Sequence, residues 1–428
     1  MKNYLNTIMI IVSLFICVQL FGQKHKIDSA LVNKFHVIVG DSISTRMAKI
    51  IQTRTSKLFN DPREPRFVMV DKSSKYLFGI GGFVKTQLYY DRNGDDGMYF
   101  VVSEFPLHPH NNPSGVGFSA NPSRLFFKLL GDTKLGIIEA YIEADFMGYK
   151  SALRLRQAYV AFKNFKIGKA WSIYKDSEEP STLDLQGPVS ISDRKVPLIS
   201  YYFKPKDGMK LDIALEFPAT NSVLVENRDD INNGVIHKIP QKIPDLPISF
   251  TYDKGNSHLF AAVNNRLMTH PNAFSKKFKL KYNFAAILSA NFDLIKRDNI
   301  RNTIFMQTSY AYGMVDCIQD LSDHGYNQIY TFGKDALTIP SGIGAYLGYK
   351  VAFGKNEINT IYSYAHLFAD GIDHSTIYKN GHYVAMNYIR KILKYGTIAG
   401  ELLYGYRNTF NDKWGDSFRV NLMLRYDF

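Results

Sequence analysis

The last residues of the chain alternate strictly between apolar and polar side chains. In SFRVNLMLRYDF, every second residue is apolar: Phe418, Val420, Leu422, Leu424, Tyr426 and Phe428. This period of two predicts a β-strand, because successive side chains of a strand point to opposite faces. One apolar face, one polar face and a terminal aromatic residue are typical of the last strand of a transmembrane β-barrel.

The same alternation recurs along the chain and predicts an all-β protein, a transmembrane antiparallel β-barrel over residues 78–428. An even number of strands closes such a barrel with both chain ends on the same side. The sixteen predicted strands are 78–91, 123–130, 134–146, 151–162, 165–172, 198–204, 209–217, 246–252, 256–268, 277–295, 302–313, 343–353, 357–368, 381–390, 396–406 and 416–428.

The links between the predicted strands are alternately short and long, as in outer-membrane barrels with short periplasmic turns and long outer loops. The short links include 163–164 and 204–208, and the long links include 92–122, 173–197 and 314–342. The sequence leaves three alternatives for 173–197. It can fold inward and narrow the pore, cover the mouth of the barrel, or contact a neighbouring subunit.

Two segments precede the predicted barrel. Residues 1–22 have a charged Lys2 and an apolar run over 8–17, which predicts a secretory signal peptide. Residues 23–77 lack strand alternation, but DSISTRMAKIIQTRTSKLF has helical spacing. We therefore expect a short periplasmic extension that is helical or partly disordered, on a protein exported to the outer membrane of a Gram-negative-type bacterium.

Composition narrows the class of protein further. The chain has 28 Tyr, 30 Phe and a formal net charge of +13. For an exported chain this charge favours lipids, lipopolysaccharide and small anionic solutes as partners, and no nucleic acid. No catalytic motif, cofactor motif or strong metal motif is present, so we expect neither an enzyme nor a cofactor. DRNGDDG (91–97) and HPH (108–110) are only weak metal signals.

The polar face of each strand is expected to line the lumen. In SALRLRQAYV, Arg154 and Arg156 share the face opposite Leu153 and Leu155. A two-residue turn at 148–149 would place Glu143 opposite Arg154. Two interpretations stay open, a salt-bridged wall or an electric field across the pore. The other predicted lumen residues are Lys85, Gln87, Arg124, Lys128, Glu143, Asp145, Lys210, Asp212, Glu216 and Arg425.

Four segments in order support a family resemblance: EADF (143–146), LRLRQAYV (153–160), IGKAWSIYKD (167–176) and PSTLDLQGP (180–188). Together they resemble the DcaP-like family of trimeric outer-membrane porins, whose pattern has an acidic pair before Phe, an Arg-x-Arg strand and a Gly-Gln-x-Trp-Ser segment. Lys169 stands where the family has Gln, and we expect it to add positive charge to the lumen.

The resemblance implies a homotrimeric channel for small anionic solutes such as dicarboxylates. Arg154 and Arg156 match the family's arginine strand, and Glu143 and Asp145 match its acidic pair. The sequence therefore predicts an outer-membrane porin for passive diffusion of small hydrophilic, preferentially anionic solutes. The terminal Phe428 would be recognised by the barrel-assembly machinery. The alternative is a closed barrel whose long loops form a binding or adhesion platform.

Overall fold

The computed structural model describes most of the chain after the predicted signal peptide. The described residues are 36–37, 45–53, 57–71, 73, 75–93, 97–110, 112–218, 221–225, 235–239, 241–270, 279–297, 299–331, 336–370 and 376–428. The signal peptide predicted for 1–22 lies outside them. No helix in these ranges is both long enough and apolar enough to cross a membrane.

Sixteen antiparallel strands form a closed barrel, as the alternation predicts. Their bounds are β1 Tyr76–Arg92, β2 Arg124–Thr133, β3 Gly136–Asp145, β4 Arg154–Phe162, β5 Phe165–Trp171, β6 Lys195–Phe203, β7 Met209–Glu216, β8 Leu246–Lys254, β9 Ser257–His270, β10 Lys279–Arg297, β11 Ile300–Tyr312, β12 Ser341–Phe353, β13 Asn356–Phe368, β14 Tyr378–Lys391, β15 Gly396–Thr409 and β16 Trp414–Asp427. Each strand pairs with the next in the chain, and β16 pairs with β1. Hydrogen bonds between Gly82 and Phe428 complete the closure.

Shorter elements lie outside these sixteen strands. One α-helix, α1, spans Thr45–Gln52. The short strands are His36–Val37, Phe67–Val70, Gly115–Ser119, Asn221–Val225, Val235–Ile239, Ile329–Thr331 and Ala336–Thr338. The 3₁₀ turns are Val102–Glu104, Tyr149–Ser151, Val315–Cys317 and Gln319–Leu321.

The two faces of the barrel wall differ in polarity as the sequence predicts. In β16, Leu422, Leu424 and Tyr426 point outward and are about half exposed, whereas Arg419 and Asn421 point inward and are buried. The same alternation holds in β1, where Val84 and Leu88 are exposed. Because apolar side chains cover the outside, the outer face is suited to contact with membrane lipid.

The two ends of the barrel carry different links. At one end, the short-turn end, links such as 163–164 and 354–355 have two residues. Lys163 and Gly354 adopt positive φ there, as tight two-residue turns require. At the opposite, long-loop end, the links include 172–194 and 313–340. The predicted alternation of short and long links is confirmed.

A β-bulge in β4 changes the predicted pairing. Glu143 pairs with Gln157 but Ala144 pairs with Leu155, so Arg156 is an extra residue in the strand. Arg154 pairs with Asp145, and the expectation that a two-residue turn sets Glu143 opposite Arg154 is wrong. The reason is that the link between β3 and β4 is longer than two residues and contains the 3₁₀ turn Tyr149–Ser151.

The segment before β1 is not separate from the barrel. We name residues 45–53 and 57–66 the N-terminal insert. The predicted helix is present as α1, and its Met47 and Ile51 pack against the inward-facing Leu77 of β1 and Leu130 of β2. The following strand Phe67–Val70 pairs with β1. The N-terminal insert therefore packs against the inner face of the barrel wall.

Candidate functional site in the barrel lumen

The link between β5 and β6, residues 172–194, crosses the lumen, and we name it the inner loop. Gln307 of β11 donates to the Ser190 carbonyl at 3.1 Å, and the hydroxyls of Ser190 and Ser363 lie 2.8 Å apart. Glu401 of β15 accepts the backbone N–H of Leu183 at 2.9 Å. These strands lie on the far side of the barrel from β5 and β6. Of the three alternatives for this loop, inward folding is the one observed.

Glycines of β12 leave room for the inner loop. A Cβ added at Gly344 would lie 2.9 Å from the Ser190 Cβ, and one at Gly348 would lie 3.1 Å from the Pro180 Cγ. The approach at Gly344 is closer than a Cβ tolerates and the one at Gly348 is tight, so glycine permits close packing of the loop on the wall. Buried Glu401 also binds the Asp184 N–H at 2.9 Å. Burial raises the pKa of the Asp184 carboxyl in the loop to about 7.

Three cavities border the inner loop in the described part of the lumen. A cavity of about 670 Å³ opens towards the short-turn end, and we name it the short-turn vestibule. A second of about 400 Å³, the long-loop vestibule, lies towards the other end. Between them lies the constriction, a cavity of about 60 Å³. It shares Arg124 and Arg156 with the long-loop vestibule and Leu58 and Trp171 with the short-turn vestibule.

Arg124, Arg154 and Arg156 border the lumen, as predicted, and all three are paired with carboxylates. Asp145 accepts Nε and Nη2 of Arg154 at 3.0 and 2.8 Å, and Nη1 of Arg156 at 2.8 Å. Glu143 lies 3.2 Å from Nε of Arg156 and accepts Nη1 of Arg124 at 3.1 Å. The salt-bridged wall is therefore present. It also borders open space, since the Arg154 side chain is 39% exposed.

Two more predicted lumen residues line the vestibules. Lys128 borders the short-turn vestibule and donates to the carbonyls of Ile50 and Thr53 at the end of α1, at 2.9 and 3.1 Å. Lys169 borders the long-loop vestibule and donates to the Leu155 carbonyl at 3.3 Å. Lys169 has no carboxylate partner among the described residues.

Lys85 and Arg425 correct the sequence prediction. Both point inward, but both are buried beneath the N-terminal insert and border none of the three cavities. Lys85 donates to the Asn60 side chain at 2.9 Å, and Arg425 donates to the Phe59 carbonyl at 2.6 Å. Alternation identifies the face of a side chain, but it does not show that another segment covers that face.

The vestibules contain basic residues that were not among the predicted lumen residues. Lys166 lies on the inward face of β5, where alternation could have identified it. Lys210 of β7, which the alternation does predict to face the lumen, borders the same vestibule. Lys163 and Lys204 are in short links, which alternation does not reach. The six lysines of the short-turn vestibule are Lys128, Lys163, Lys166, Lys175, Lys204 and Lys210. Its three carboxylates are Glu139, Asp176 and Asp212.

The long-loop vestibule has the same excess of basic over acidic groups. Its five basic residues are Arg124, Arg154, Arg156, Lys169 and Lys195, and its three carboxylates are Asp145, Asp193 and Asp323. The constriction differs, with three basic residues, Arg124, Arg156 and Lys175, and four carboxylates, Asp61, Glu179, Asp184 and Asp193. Positive charge therefore predominates on both sides of the constriction but not within it.

One group of described residues could hold a metal ion. The ligand atoms of Glu178, Asp253 and His258 lie within 4.8 Å of one another. His258 already contacts Asp253 at 2.7 Å and Asp176 at 2.9 Å, and Glu178 forms an ion pair with Lys57. Protein groups thus satisfy these side chains, and a metal ion would have to displace them.

Comparison with known proteins gives structural neighbours only. No family model and no curated protein sequence matches the chain. The outer membrane channel DcaP of Acinetobacter baumannii is similar with a TM-score of 0.70 and 18% identity, over 84% of this chain and 99% of that chain. The anion-selective porin from Comamonas acidovorans has a TM-score of 0.52 and 13% identity, over 83% and 100%. OprB of Pseudomonas putida has a TM-score of 0.53 and 8% identity, over 82% and 94%.

The class of protein follows from the barrel and its lumen. A closed sixteen-stranded barrel with an apolar exterior and a polar interior narrowed by an inner loop has the fold of outer-membrane porins, so we place the chain in the outer membrane of a Gram-negative bacterium. The resemblance to the DcaP-like family is confirmed at the level of the fold, since the DcaP channel is one of these neighbours.

Proposed function

We propose that the protein is a porin through which small hydrophilic solutes diffuse passively, with a preference for anions such as dicarboxylates. The observation that carries this proposal is the excess of basic side chains in both vestibules. A solute from either side meets a positive vestibule before it reaches the constriction. The name of the Comamonas acidovorans neighbour, an anion-selective porin, is in agreement with this function for the shared fold.

Fixed positive charges in confined water raise the local concentration of anions. Permeation also requires release, so binding has to be weak. Lys166 and Lys169 have no ion-pair partner among the described residues, whereas the arginines beside the constriction are paired with Asp145, Glu143 and Asp61. Lysines without an ion-pair partner in the vestibules attract anions, and the constriction, with four carboxylates against three basic side chains, does not retain them.

Ion selectivity tests the proposal. We expect the reversal potential of single channels in a KCl gradient to show that chloride permeates more readily than potassium. Lys166→Gln and Lys169→Gln, one in each vestibule, should each lower the chloride-to-potassium permeability ratio roughly twofold. Lys206→Gln is the matched control, because Lys206 is exposed in the short link between β6 and β7 and borders neither vestibule. A cation-selective wild type would contradict the anion preference.

Solute passage tests the channel itself. Liposomes that contain the protein should swell in solutions of small sugars, amino acids and dicarboxylates, and dicarboxylates should enter fastest among solutes of equal size. Liposomes that do not swell would favour the alternative, a closed barrel whose loops form a binding or adhesion platform.

The remaining partners belong to the same proposal. We infer a homotrimer from the resemblance to a trimeric family, surrounded by outer-membrane lipids and lipopolysaccharide along the apolar exterior. Phe428 would be the signal for the barrel-assembly machinery, and its backbone pairs with Gly82 where the barrel closes. Chemical cross-linking in mild detergent should give a trimer, and a monomer alone would contradict this assembly.

A further inference from the structure

The N-terminal insert reaches the constriction. Residues 57–61 bridge the inner loop and the barrel wall. The Asn60 side-chain amide donates to the carbonyls of Thr182 and Asp184 in the inner loop at 3.1 and 3.2 Å. Its oxygen accepts a hydrogen bond from Nζ of Lys85 in β1 at 2.9 Å. Arg425 of β16 donates to the Phe59 carbonyl. The insert is therefore fixed from two sides at the narrowest part of the lumen.

Asp61 places a carboxylate directly at the constriction. Its Oδ1 lies 2.5 Å from Nη1 of Arg124, and its Oδ2 accepts the indole N–H of Trp171 at 2.9 Å. Arg124 also pairs with Glu143. All of these groups except Glu143 border the constriction. Arg124 thus has one carboxylate from the wall and a second from the insert.

The barrel wall has a seat for this insert. Gly79 and Gly81 of β1 face inward, and Pro65 packs on them. A Cβ at Gly79 would lie 2.8 Å from the Pro65 Cγ, and one at Gly81 would lie 2.9 Å from the Pro65 Cα. Arg63 lies 3.5 Å from the Asp427 carboxylate. Glycine at two inward positions of one strand matches the close approach of Pro65.

We propose that residues 57–61 form a constriction element of the channel, and that Asp61 is a specificity-determining side chain. This proposal rests on the porin function proposed above and adds a residue from outside the barrel strands to its selectivity. The Asp61 carboxylate offsets the charge of Arg124 and weakens anion preference at the narrowest point. Leu58 borders both the constriction and the short-turn vestibule, and its size limits passage between them.

Asp61→Asn tests the charge. Asn has nearly the same shape and keeps an oxygen for the Trp171 N–H, but it loses both the charge and the oxygen that accepts the Arg124 N–H. We expect the chloride-to-potassium permeability ratio to rise roughly twofold, because Arg124 retains one carboxylate partner instead of two. Asp71→Asn is the matched control. It removes the same charge from a partly buried residue before β1 that borders none of the three cavities, and it should leave the ratio unchanged.

Variants of Leu58 test whether the size of this side chain limits the flow of ions through the constriction. Leu58→Trp should lower single-channel conductance, Leu58→Ala should raise it, and neither should change the permeability ratio. Each variant is measured in the full-length protein after a check that the barrel keeps its heat-modifiable mobility in electrophoresis. Leu58 and Asp61 variants act by size and by charge, so the loss of one variant to misfolding still leaves a test.

The porin function and the role of residues 57–61 as a constriction element are tested by different measurements. The wild-type reversal potential and liposome swelling test the porin function. The difference between Asp61→Asn and the wild type tests the constriction element, and a shift towards anions supports it whatever the wild-type preference. Folded Asp61→Asn and Leu58→Trp channels with wild-type selectivity and conductance would overturn the constriction element.

Discussion

Hydrogen bonds and ion pairs stabilise the buried carboxylate of Glu143. Its side chain is fully buried and accepts hydrogen bonds from Gln157 at 2.8 Å and from Tyr141 at 3.1 Å, in addition to the pairs with Arg124 and Arg156. Removing one partner from a buried ion pair costs ~3–5 kcal/mol, because the other charge stays buried without compensation. These arginines are therefore structural as well as lumen-facing.

For single residues, the sequence predicts which face of a strand a side chain occupies better than it predicts the residue with which that side chain pairs. Alternation places Arg154 and Arg156 in the lumen, where they lie. The partner of Arg154 is Asp145 and not the expected Glu143, because the single extra residue at Arg156 and the longer link shift the register. The bulge reverses the alternation within β4, because Leu155 is exposed before it whereas Tyr159 is buried and Val160 is exposed after it. This reversal does not by itself identify the partner of Arg154.

Titration of the Glu179 carboxyl should make the ion selectivity of the channel depend on pH. Burial in the inner loop raises the pKa of the Glu179 carboxyl to about 7, although Lys175 at 2.7 Å opposes this shift. Above that pKa the constriction carries the Glu179 charge, and below it the carboxyl is neutral. We expect the chloride-to-potassium permeability ratio to rise as the medium changes from about pH 8 to about pH 6.

Reversal potentials at the two pH values measure this effect. Glu179→Gln should have a high ratio at both values and a smaller pH dependence. Asp184, whose pKa is also raised to about 7 by burial, should contribute to the dependence that remains. Equal pH dependence in Glu179→Gln and in the wild type would contradict this assignment.

Among the elements, the inner loop and the N-terminal insert were harder to predict than the strands. A strand between lipid and water repeats its pattern every two residues, so its existence and bounds follow from the sequence. The inner loop packs through Ser190, Thr182 and Asp184, which are polar residues typical of any loop. Their partners Ser363 and Glu401 are far away in the chain. Only the folded barrel brings these groups together.

Gly344→Val tests the seat of the inner loop. The added side chain meets Ser190 of the loop, so the loop has to move away from the wall. We expect higher single-channel conductance and a stability loss of ~1–3 kcal/mol, as for other overpacked sites. Gly400→Val is the matched control, because a Cβ there makes an ordinary contact of 3.5 Å with Leu422. Unchanged conductance in folded Gly344→Val would show that the loop does not limit flow.

At the scale of the whole molecule, the apolar exterior determines where the protein resides. Large exposed apolar side chains occur on strands all around the barrel, among them Ile142, Leu215, Leu288, Leu347 and Leu402. A soluble protein does not expose such a continuous apolar surface. The sequence predicts this surface well because every lipid-facing strand repeats the same pattern.

Leu347→Arg tests the lipid contact. Leu347 lies in the middle of β12 and is 57% exposed on the outer face. A charge near the bilayer midplane should lower the free energy of unfolding by ~2–4 kcal/mol. Leu135→Arg is the control, since Leu135 is exposed in the short link between β2 and β3, where the cost should be ~0–1 kcal/mol. Urea titration in lipid vesicles measures both, and equal losses would contradict the membrane placement.

The pairing of β1 with β16 has a consequence for the order of assembly. Arg419 and Asp91, which form an ion pair at this junction, are 328 residues apart in the chain. The N-terminal insert is synthesised before β1 and lies inside the ring that β16 completes last. The insert must therefore be enclosed by the growing sheet before β16 pairs with β1, or it must enter the closed barrel afterwards through one of its ends. Residues that leave the ribosome before any barrel strand are thus held in place by contacts with the last strand, as Phe59 is by Arg425.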